Sequence, residues 1–351
     1  MKWLIYGANG YSGALIACEA QARGLRPILA GRSAAVQALA TELGLEARNF
    51  SLTDPAALRA GLEGVGLVLH CAGPFSATAA PMVAGCLAAG CHYLDITGEI
   101  AVFEAIYAQH EQAQARGVML CPGVGFDVVP TDCVALGLKR HLPDATHLCL
   151  GFDSRSGLSP GTAKTSVEGM AGGGRARIAG KLCTVPLGWK TREIDFGNGV
   201  RHAVTIPWGD IASAWRSTGI PNIETYVPAS PRLAQRLRRL DWIRPLLGLR
   251  LVQGMLKAQI ARRMRGPDQA ERQAQTTWVW GEARNAEGRR CTARVRTANG
   301  YDLTIHAALA VVEALLGGLP ARAGATTPGL LFGPGLVERL PGSLPISYEY
   351  T

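Results

Sequence analysis

The stretch that decides the fold lies at the start of the sequence and reads Trp3-Leu4-Ile5-Tyr6-Gly7-Ala8-Asn9-Gly10-Tyr11-Ser12-Gly13. Its apolar start suits a short buried strand, and a helical pattern follows from about residue 12 to 23. Between them lies a G-x-x-G-x-x-G turn, in the strand–turn–helix setting that a dinucleotide-binding motif requires. Gly7 suits the tight turn, Gly10 lets backbone approach a pyrophosphate, and Gly13 lets the helix pack closely on the strand. The helix N-terminus, with Asn9, Tyr11 and Ser12 beside it, then faces the phosphates. The alternative is an ordinary glycine-rich turn.

The rest of the first third also alternates strand and helix. Strand candidates occur at residues 3–6, 27–30, 46–50, 67–71, 92–95 and 118–121, with helical patterns between them, one of which covers residues 100–116. This spacing predicts a parallel, doubly wound sheet. Beyond about residue 130 the pattern changes to antiparallel strand candidates at 148–152, 182–185, 200–206, 276–280, 290–296 and 301–305, followed by a helix at 307–316.

These patterns predict an α/β fold with two domains, because 351 residues exceed what one hydrophobic core usually serves. We expect a Rossmann domain at residues 1–135, on which the C-terminal tail at about 307–351 packs back. We expect residues 136–306 to form an α+β domain for substrate binding and dimerisation.

The residues that follow the second strand indicate whether the chain prefers NAD or NADP. The sequence there is Ala30-Gly31-Arg32-Ser33, without the acid that would bind the adenine ribose hydroxyls of NAD. Arg32 can pair with a 2′-phosphate and Ser33 can add a hydrogen bond. The sequence therefore predicts NADP(H) as the cofactor, unless Arg32 is merely a solvated residue at a helix start.

Other strand ends supply further cofactor candidates. Asp54 follows the third strand, where it either reaches the adenine or caps the helix that starts at Pro55. After the fourth strand, the small residues Ala72, Gly73 and Pro74 let the dinucleotide lie against the sheet edge, and Phe75 packs either on the nicotinamide or in the core. Later strand ends carry polar groups: Asp95, Thr97 and Glu99 after the fifth, and Asp127 after the sixth.

Positive charge is concentrated in one segment. The chain has 36 basic and 27 acidic residues, a net charge of +9, and residues 232–265 hold ten bases against one acid. The segment reads as a basic amphipathic helix broken near Pro245 and Gly248. We favour a helix with a solvated charged face, whose apolar side covers the core or a dimer partner. The alternative is peripheral contact with an anionic membrane surface or an acidic partner. Without a nucleic-acid-binding signature, the charge does not indicate nucleic acid.

Several classes of protein are disfavoured by what the sequence lacks. The short-chain dehydrogenases use Tyr-x-x-x-Lys, and none of the six lysines has a tyrosine four residues before it. The nine cysteines form no C-x-x-C pair, and Cys71, Cys121 and Cys133 lie in apolar runs that suit packing. No metal-binding spacing is present. With no signal peptide or spanning stretch, these free thiols favour the reducing cytoplasm.

Five motifs together resemble one family, the saccharopine dehydrogenase-like NADP-binding oxidoreductases, and within it the branch of trans-acting enoyl reductases. They are G-A-N-G-Y-S-G at 7–13, A-G-R at 30–32, C-A-G-P-F at 71–75, H-Y-L-D-I-T-G-E at 92–99 and P-G-V-G-F-D-V-V-P-T-D at 122–132. The resemblance is strongest over residues 1–135. Gly161-Thr162, Glu168-Gly169 and Pro207-Trp208-Gly209-Asp210 extend it into the second domain.

The resemblance implies a role for each matching residue. Gly7, Asn9, Gly10, Tyr11, Arg32, Ala72, Gly73 and Pro74 would hold the dinucleotide. Asp95, Thr97, Glu99 and Asp127 would lie near the reacting centre, with Asp127 the first candidate for the catalytic acid, Glu99 the second and Asp95 the third.

The leading hypothesis is an NADPH-dependent reductase of a C=N or conjugated C=C bond in a small or carrier-bound metabolite, acting as a homodimer. The rival hypothesis is a non-catalytic NADPH-binding scaffold that docks on a membrane or partner through residues 232–265. A dehydrogenase working in the oxidative direction is a third reading.

Overall fold

The structure is a computed structural model that describes residues 1–154, 169, 172–242, 244, 249, 252–255, 258–259 and 267–351. The chain folds as two compact units. One comprises residues 1–97, 101–126 and 303–331, and the other comprises residues 98–100, 127–302 and 332–351.

The first 126 residues alternate strands with helices, as the sequence predicts. The strands are Trp3–Tyr6 (β1), Ile28–Gly31 (β2), Ala47–Asn49 (β3), Leu67–His70 (β4), His92–Asp95 (β5) and Met119–Cys121 (β6). The helices are Tyr11–Ala22 (α1), Ala35–Leu43 (α2), Pro55–Gly61 (α3), Phe75–Ala89 (α4), Ile100–Tyr107 (α5) and His110–Ala115 (α6). The single helix predicted at 100–116 is thus two helices.

The strands of the remaining described chain form mainly hairpins, and further helices lie between and after them. The helices are Val129–His141 (α7), Asp210–Thr218 (α8), Pro231–Trp242 (α9), Gln269–Gln273 (α10), Gly300–Leu316 (α11) and Pro328–Phe332 (α12), followed by a 3-10 turn at Pro334–Arg339. The strands are His147–Ser154 (β7), Gly174–Ile178 (β8), Lys181–Val185 (β9), Thr191–Asp195 (β10), Val200–Ile206 (β11), Asn222–Pro228 (β12), Thr276–Arg284 (β13), Arg290–Ala298 (β14), Gly324–Ala325 (β15) and Ser347–Tyr350 (β16).

The first unit is a doubly wound parallel sheet. Its strand order is β15-β6-β5-β4-β1-β2-β3, and every pairing is parallel. The order reverses at β1, which pairs with both β2 and β4, so the glycine turn that follows β1 lies at the switch point where such sheets bind ligands. The strands β1, β2 and β4 are buried along their whole length, as a sheet covered on both faces requires.

The second unit contains a mixed sheet. Its main path is β10-β11-β12-β7-β13-β14-β16, and β8 joins it by pairing with β12 and β9. The β7–β12 pairing is parallel, whereas the hairpins β10–β11, β8–β9 and β13–β14 are antiparallel. The two units confirm the predicted fold class, an α/β Rossmann sheet with a second α+β lobe.

One predicted strand is wrong. Residues 301–305 belong to the long helix α11, not to a strand. The side chain of Asn299 accepts hydrogen bonds from the backbone N–H groups of Tyr301 and Asp302, both at 3.0 Å. This cap satisfies the free donors of a helix start, and it overrides the strand preference of the residues that follow.

Candidate functional site

The glycine turn after β1 is tightly packed backbone. Gly7 has a φ of +83°, and a Cβ added there would lie 2.7 Å from the backbone nitrogen of Ala72. A Cβ on Gly13 would lie 2.3 Å from the carbonyl oxygen of Gly7. Real Cβ atoms do not approach backbone so closely, so both positions require glycine. The turn therefore brings strand, helix and the loop after β4 together as a phosphate-binding turn does.

The N-terminus of α1 is open toward such a ligand. Gly10 is its N-cap with extended backbone, no side-chain hydrogen bond caps it, and no acidic residue occupies the first turn. Backbone N–H groups at a helix start and the positive end of the helix dipole attract anions. The cradle that a Cβ would fill and this uncapped helix start both fit the pyrophosphate of a dinucleotide.

Arg32 follows β2 as an exposed cation. Its side chain has no ion-pair partner among the described residues. Asn9 lies beside the same strand end, because a Cβ on Gly31 would be 3.3 Å from Asn9 Oδ1. The Ser33 hydroxyl accepts a hydrogen bond from Ala35 N at 3.1 Å, so it shapes the turn into α2. Of these residues, Arg32 carries the charge that could meet a 2′-phosphate.

Two of the cofactor candidates have structural partners of their own. Asp54 caps α3, since its Oδ1 accepts from Ala56 N at 2.9 Å and Ala57 N at 3.1 Å. Phe75 is buried in the core and meets the ring of His70 edge-on at 5.3 Å. Asp54 thus caps a helix and Phe75 packs in the core, and the predicted contact of each with the dinucleotide stays a prediction.

His70 is a core histidine at the end of β4. Its ring is fully buried, with Nε2 3.0 Å from Thr78 Oγ1. Because that hydroxyl donates to the Ala72 carbonyl at 2.6 Å, Nε2 must carry the hydrogen. Burial lowers the pKa of His70 to about 3, so the ring stays neutral at physiological pH. His70 and Thr78 thus hold the loop Ala72-Gly73-Pro74 in place. This loop includes a cis Gly73–Pro74 bond.

Asp95 ties the ends of β5 and β6 together. Its buried carboxylate accepts hydrogen bonds from Tyr93 Oη at 2.7 Å, Thr97 N at 3.0 Å and Gly123 N at 2.8 Å. A carboxylate with three donors is held in place by them. This geometry makes Asp95 a residue that positions the loops carrying Thr97 and Gly123.

Asp127 and Glu99 come together in the second unit. Burial raises the pKa of Asp127 to about 7, and the negative charge of Glu99 acts in the same direction. Both side chains remain partly exposed. A carboxyl group with a pKa near neutrality can both hold and release a proton at physiological pH. The structure therefore brings together the first two of the three predicted catalytic residues.

The sequence patterns assign no role to three residues near Asp127, namely Trp208, Thr131 and Asp210. The Trp208 indole nitrogen donates to the carbonyl oxygen of Asp127 at 3.0 Å. The hydroxyl of Thr131, in the first turn of α7, donates a hydrogen bond to the buried carboxyl group of Asp210. The motif Pro207-Trp208-Gly209-Asp210 marked this loop, but spacing alone could not show that it meets residues about 80 positions earlier. Gly161, Thr162 and Glu168, which extend the same motif set, lie outside the described residues.

The described residues hold no group of histidine, cysteine or acidic side chains suited to a metal ion. Burial raises the pKa of the thiols of Cys71 and Cys133, as expected of packing cysteines. Within the described part of the chain, no helix has the length and apolar character needed to cross a membrane.

The parallel sheet and the glycine turn are those of a Rossmann dinucleotide-binding domain, and this part of the chain matches a known family. Residues 3–121 match the family described as the saccharopine dehydrogenase NADP binding domain. This match confirms the family resemblance seen in the sequence motifs, and it supports the predicted NADP(H) cofactor.

The chain is also similar to curated trans-acting enoyl reductases. It is 32% identical over 199 residues to one from Mycobacterium tuberculosis, covering 52% of this chain and 48% of the relative. Identity to one from Mycobacterium leprae is 35% over 154 residues, covering 40% of this chain and 35% of the relative. The chain spans about half the length of the curated relatives it matches.

Among solved structures, the apo saccharopine dehydrogenase (L-Glu forming) of Saccharomyces cerevisiae shares the fold. Its TM-score is 0.69 with 11% sequence identity, over 99% of both chains. At this identity the likeness shows a shared fold and nothing of the activity.

Proposed function

We propose that this protein is an NADPH-dependent oxidoreductase that reduces a conjugated C=C or C=N bond of a small or carrier-bound metabolite. The observation that carries the proposal is the Asp127 carboxyl group, which packs against Gly98 and whose pKa is raised to about 7 by burial and by the charge of Glu99. The match of residues 3–121 to an NADP binding domain supports the cofactor. The name of the curated relatives, enoyl reductase, favours the C=C bond of the two.

The first unit would hold the cofactor through backbone and one cation. Gly7, Gly10 and Gly13 leave room for the pyrophosphate at the start of α1, and Arg32 would pair with the 2′-phosphate. Asn9 and Ser33 line the same strand end, and the loop Ala72-Gly73-Pro74 borders the glycine turn. When bound, NADPH supplies the hydride and leaves as NADP⁺.

Reduction of the double bond also needs a proton, and we assign its delivery to Asp127. The neutral Asp127 carboxyl group would donate its proton to the substrate atom on which negative charge develops. Because the Asp127 side chain is partly exposed, the resulting carboxylate would take up a new proton from solvent. Ionised Glu99 favours the protonated form of Asp127 before the reaction. Trp208 would hold the Asp127 backbone, and Asp95 would position the loops that carry Thr97 and Gly123.

The test is a turnover assay in which the loss of NADPH absorbance is followed with a 2-enoyl thioester of N-acetylcysteamine and with a cyclic imine. We expect NADPH to be oxidised in the presence of at least one of these two substrates. In Asp127→Asn, kcat should fall by about 10²- to 10⁴-fold while the dissociation constant of NADPH stays unchanged. Absence of turnover with both substrate classes would argue against a reductase of this type, and unchanged kcat in the variant would remove Asp127 from the chemistry.

A second property, peripheral contact with an anionic membrane, is proposed from the start of the basic segment. On α9 the Trp242 side chain is 90% exposed and Leu233 is 46% exposed, next to the exposed Arg232, Arg236 and Arg239. Exposed apolar groups beside arginines suit the interface of an anionic bilayer. Much of residues 243–265 lies outside the described residues.

The membrane proposal predicts sedimentation with phosphatidylglycerol vesicles and not with phosphatidylcholine vesicles. Trp242→Ala combined with Arg236→Glu should reduce it, and equal sedimentation of this variant and the parent protein would reject the proposal.

We also propose a homodimer in a reducing, cytoplasmic setting. All nine cysteines are free thiols, which supports a reducing compartment. Light scattering coupled to size-exclusion chromatography gives the oligomeric state, and a mass of about 37.1 kDa would refute the dimer.

A further inference from the structure

A long apolar groove runs over one face of the first unit, between α4 on one side and α5 and α6 on the other. Its volume is about 410 Å³, within the range of small-molecule sites. The chain passes from β4 through α4 to β5 and through α5 and α6 to β6, so these helices lie side by side on the same face of the sheet. We call this cavity the α4–α5 groove.

The floor of the groove belongs to the hydrophobic core. It is formed by buried side chains from both helices, namely Ala79, Val83, Leu87, Val102 and Ile106. Its walls are small and exposed: Ala80, Ala84 and Ala88 on one side, and Ala101 and Ala105 on the other. Alanine side chains are too short to fill the space between the helices. The result is a channel that follows α4 from Ser76 to Ala88, about 20 Å for thirteen residues of helix.

One end of the channel is polar and positively charged. Gln109, Gln112 and Arg116 line it there, and neither Glu104 nor Glu111, the acids on the same helices, lines it. Arg116 is exposed and has no ion-pair partner among the described residues. An uncompensated cation with two carboxamides at the end of an apolar channel is complementary to an anionic head group.

This end is separate from the nucleotide turn. Helices α4 and α5 both start at the carboxyl edge of the sheet, and Arg116, which follows α6, is next to β6 where the chain re-enters the sheet from the opposite edge. The glycine turn and Arg32 lie at the carboxyl edge. Arg116 is therefore not part of the phosphate-binding arrangement.

We infer that the α4–α5 groove binds a single-chain amphiphile with an anionic head, namely a free long-chain fatty acid. Its hydrocarbon chain lies along the alanine walls, and its carboxylate meets Arg116, Gln109 and Gln112. An unbranched chain suits a narrow channel with small walls. Protein partners usually anchor through bulky aromatic or aliphatic groups, and none of the exposed large hydrophobic residues of the described chain lies on these helices.

The test is isothermal titration of the full chain with dodecanoate, below its micelle concentration. We expect saturable binding of one dodecanoate per chain and none of dodecyltrimethylammonium, which has the same chain with a cationic head. Shortening the chain to decanoate should weaken binding about tenfold, because two methylene groups leave the apolar channel.

Two substitutions locate the site. Ala84→Phe fills the middle of the channel and should abolish binding, whereas Ala89→Phe, on the same helix but outside the groove, should leave it unchanged. Arg116→Gln should weaken dodecanoate several-fold, and Arg59→Gln, on α3, should not. Ala84 and Ala89 are both exposed, so we expect their phenylalanine variants to fold. A thermal melt of each variant verifies this.

Two results would overturn the inference. One is the absence of saturable binding, or binding that Ala84→Phe does not change. The other is a change of oligomeric state in Ala84→Phe without fatty-acid binding by the parent protein, which would make the groove an interface between copies of the chain. Neither result depends on whether the protein reduces a double bond.

Discussion

Gly98 leaves the space that the Asp127 carboxyl group occupies. A Cβ at position 98 would lie 2.5 Å from Asp127 Oδ2 and 3.0 Å from its Cγ. The backbone at Gly98 has no positive φ, so the requirement for glycine comes from the neighbouring side chain and not from backbone conformation. Glycine at position 98 thus lets the Asp127 carboxyl group pack against the backbone next to Glu99.

Substituting Gly98→Ala should displace the Asp127 side chain. An added methyl group in a well-packed site lowers the free energy of unfolding by about 1–3 kcal/mol. The loss is smaller here if the Asp127 carboxyl group rotates away from the new methyl group. We expect a lower kcat with a loss of stability at the low end of that range, measured by turnover and by denaturant unfolding. Gly335→Ala is the control, because its nearest neighbour would be 3.7 Å away. Unchanged kcat in Gly98→Ala would contradict a role for the Asp127 position.

The charge of Glu99 should set the upper pH limit of activity. If neutral Asp127 donates the proton, activity falls as pH rises through its pKa of about 7. Glu99→Gln removes the nearby negative charge, lowers the pKa of Asp127 and should move this limb of the kcat profile to lower pH. A profile that Glu99→Gln leaves in place would mean that the two carboxyl groups do not interact in the working enzyme.

Arg32 should decide between the two nicotinamide cofactors. Its exposed guanidinium has no acidic partner in the described chain, so it is available for a 2′-phosphate. Arg32→Glu should weaken NADPH by about tenfold or more, because it replaces an attraction by a like-charge repulsion, and should leave NADH less affected. Tryptophan fluorescence titration measures both constants. Equal affinity of the parent protein for NADPH and NADH would refute the preference.

The first unit could be read from the sequence because its signals are local. The apolar run Trp3–Tyr6, the glycine turn and the regular strand–helix spacing each determine structure within a few residues. Capping also acts locally, yet the pattern from Tyr301 to Ile305 predicts a strand where Asn299 starts a helix. A polar side chain at a helix start outweighed a short apolar alternation.

The surroundings of the candidate acid were less predictable because they depend on residues far apart in the chain. Asp127 could be named from its motif, but its raised pKa depends on burial and on Glu99. Likewise, Trp208 contacts the Asp127 carbonyl across 81 positions, and only tertiary packing creates that bond. The sequence shows which strand ends carry polar residues. Only tertiary packing determines which of these side chains are buried away from water.

Asp210 is a fully buried carboxyl group in the same unit. Its Oδ1 accepts from the Thr131 hydroxyl, and its Oδ2 has no hydrogen-bond partner among the described residues. Burial raises the pKa of Asp210 well above its usual value, and the nearby Asp132 and Asp127 raise it further, whereas the Thr131 hydrogen bond opposes the shift. Folding therefore favours the protonated form of the Asp210 carboxyl group relative to the unfolded chain.

This difference makes Asp210 a source of pH-dependent stability. A group whose pKa is raised on folding stabilises the protein fully below its unfolded pKa and loses that contribution as pH rises toward the folded pKa. The loss amounts to at most about 1.4 kcal/mol per pH unit. Asp210→Asn has no proton to lose, so its free energy of unfolding should fall less between about pH 5 and about pH 8 than that of the parent protein. Denaturant unfolding at both pH values measures the difference, with the exposed Glu287→Gln as control. Parallel slopes in the parent and in Asp210→Asn would show that Asp210 ionises in the folded state as it does in the unfolded chain.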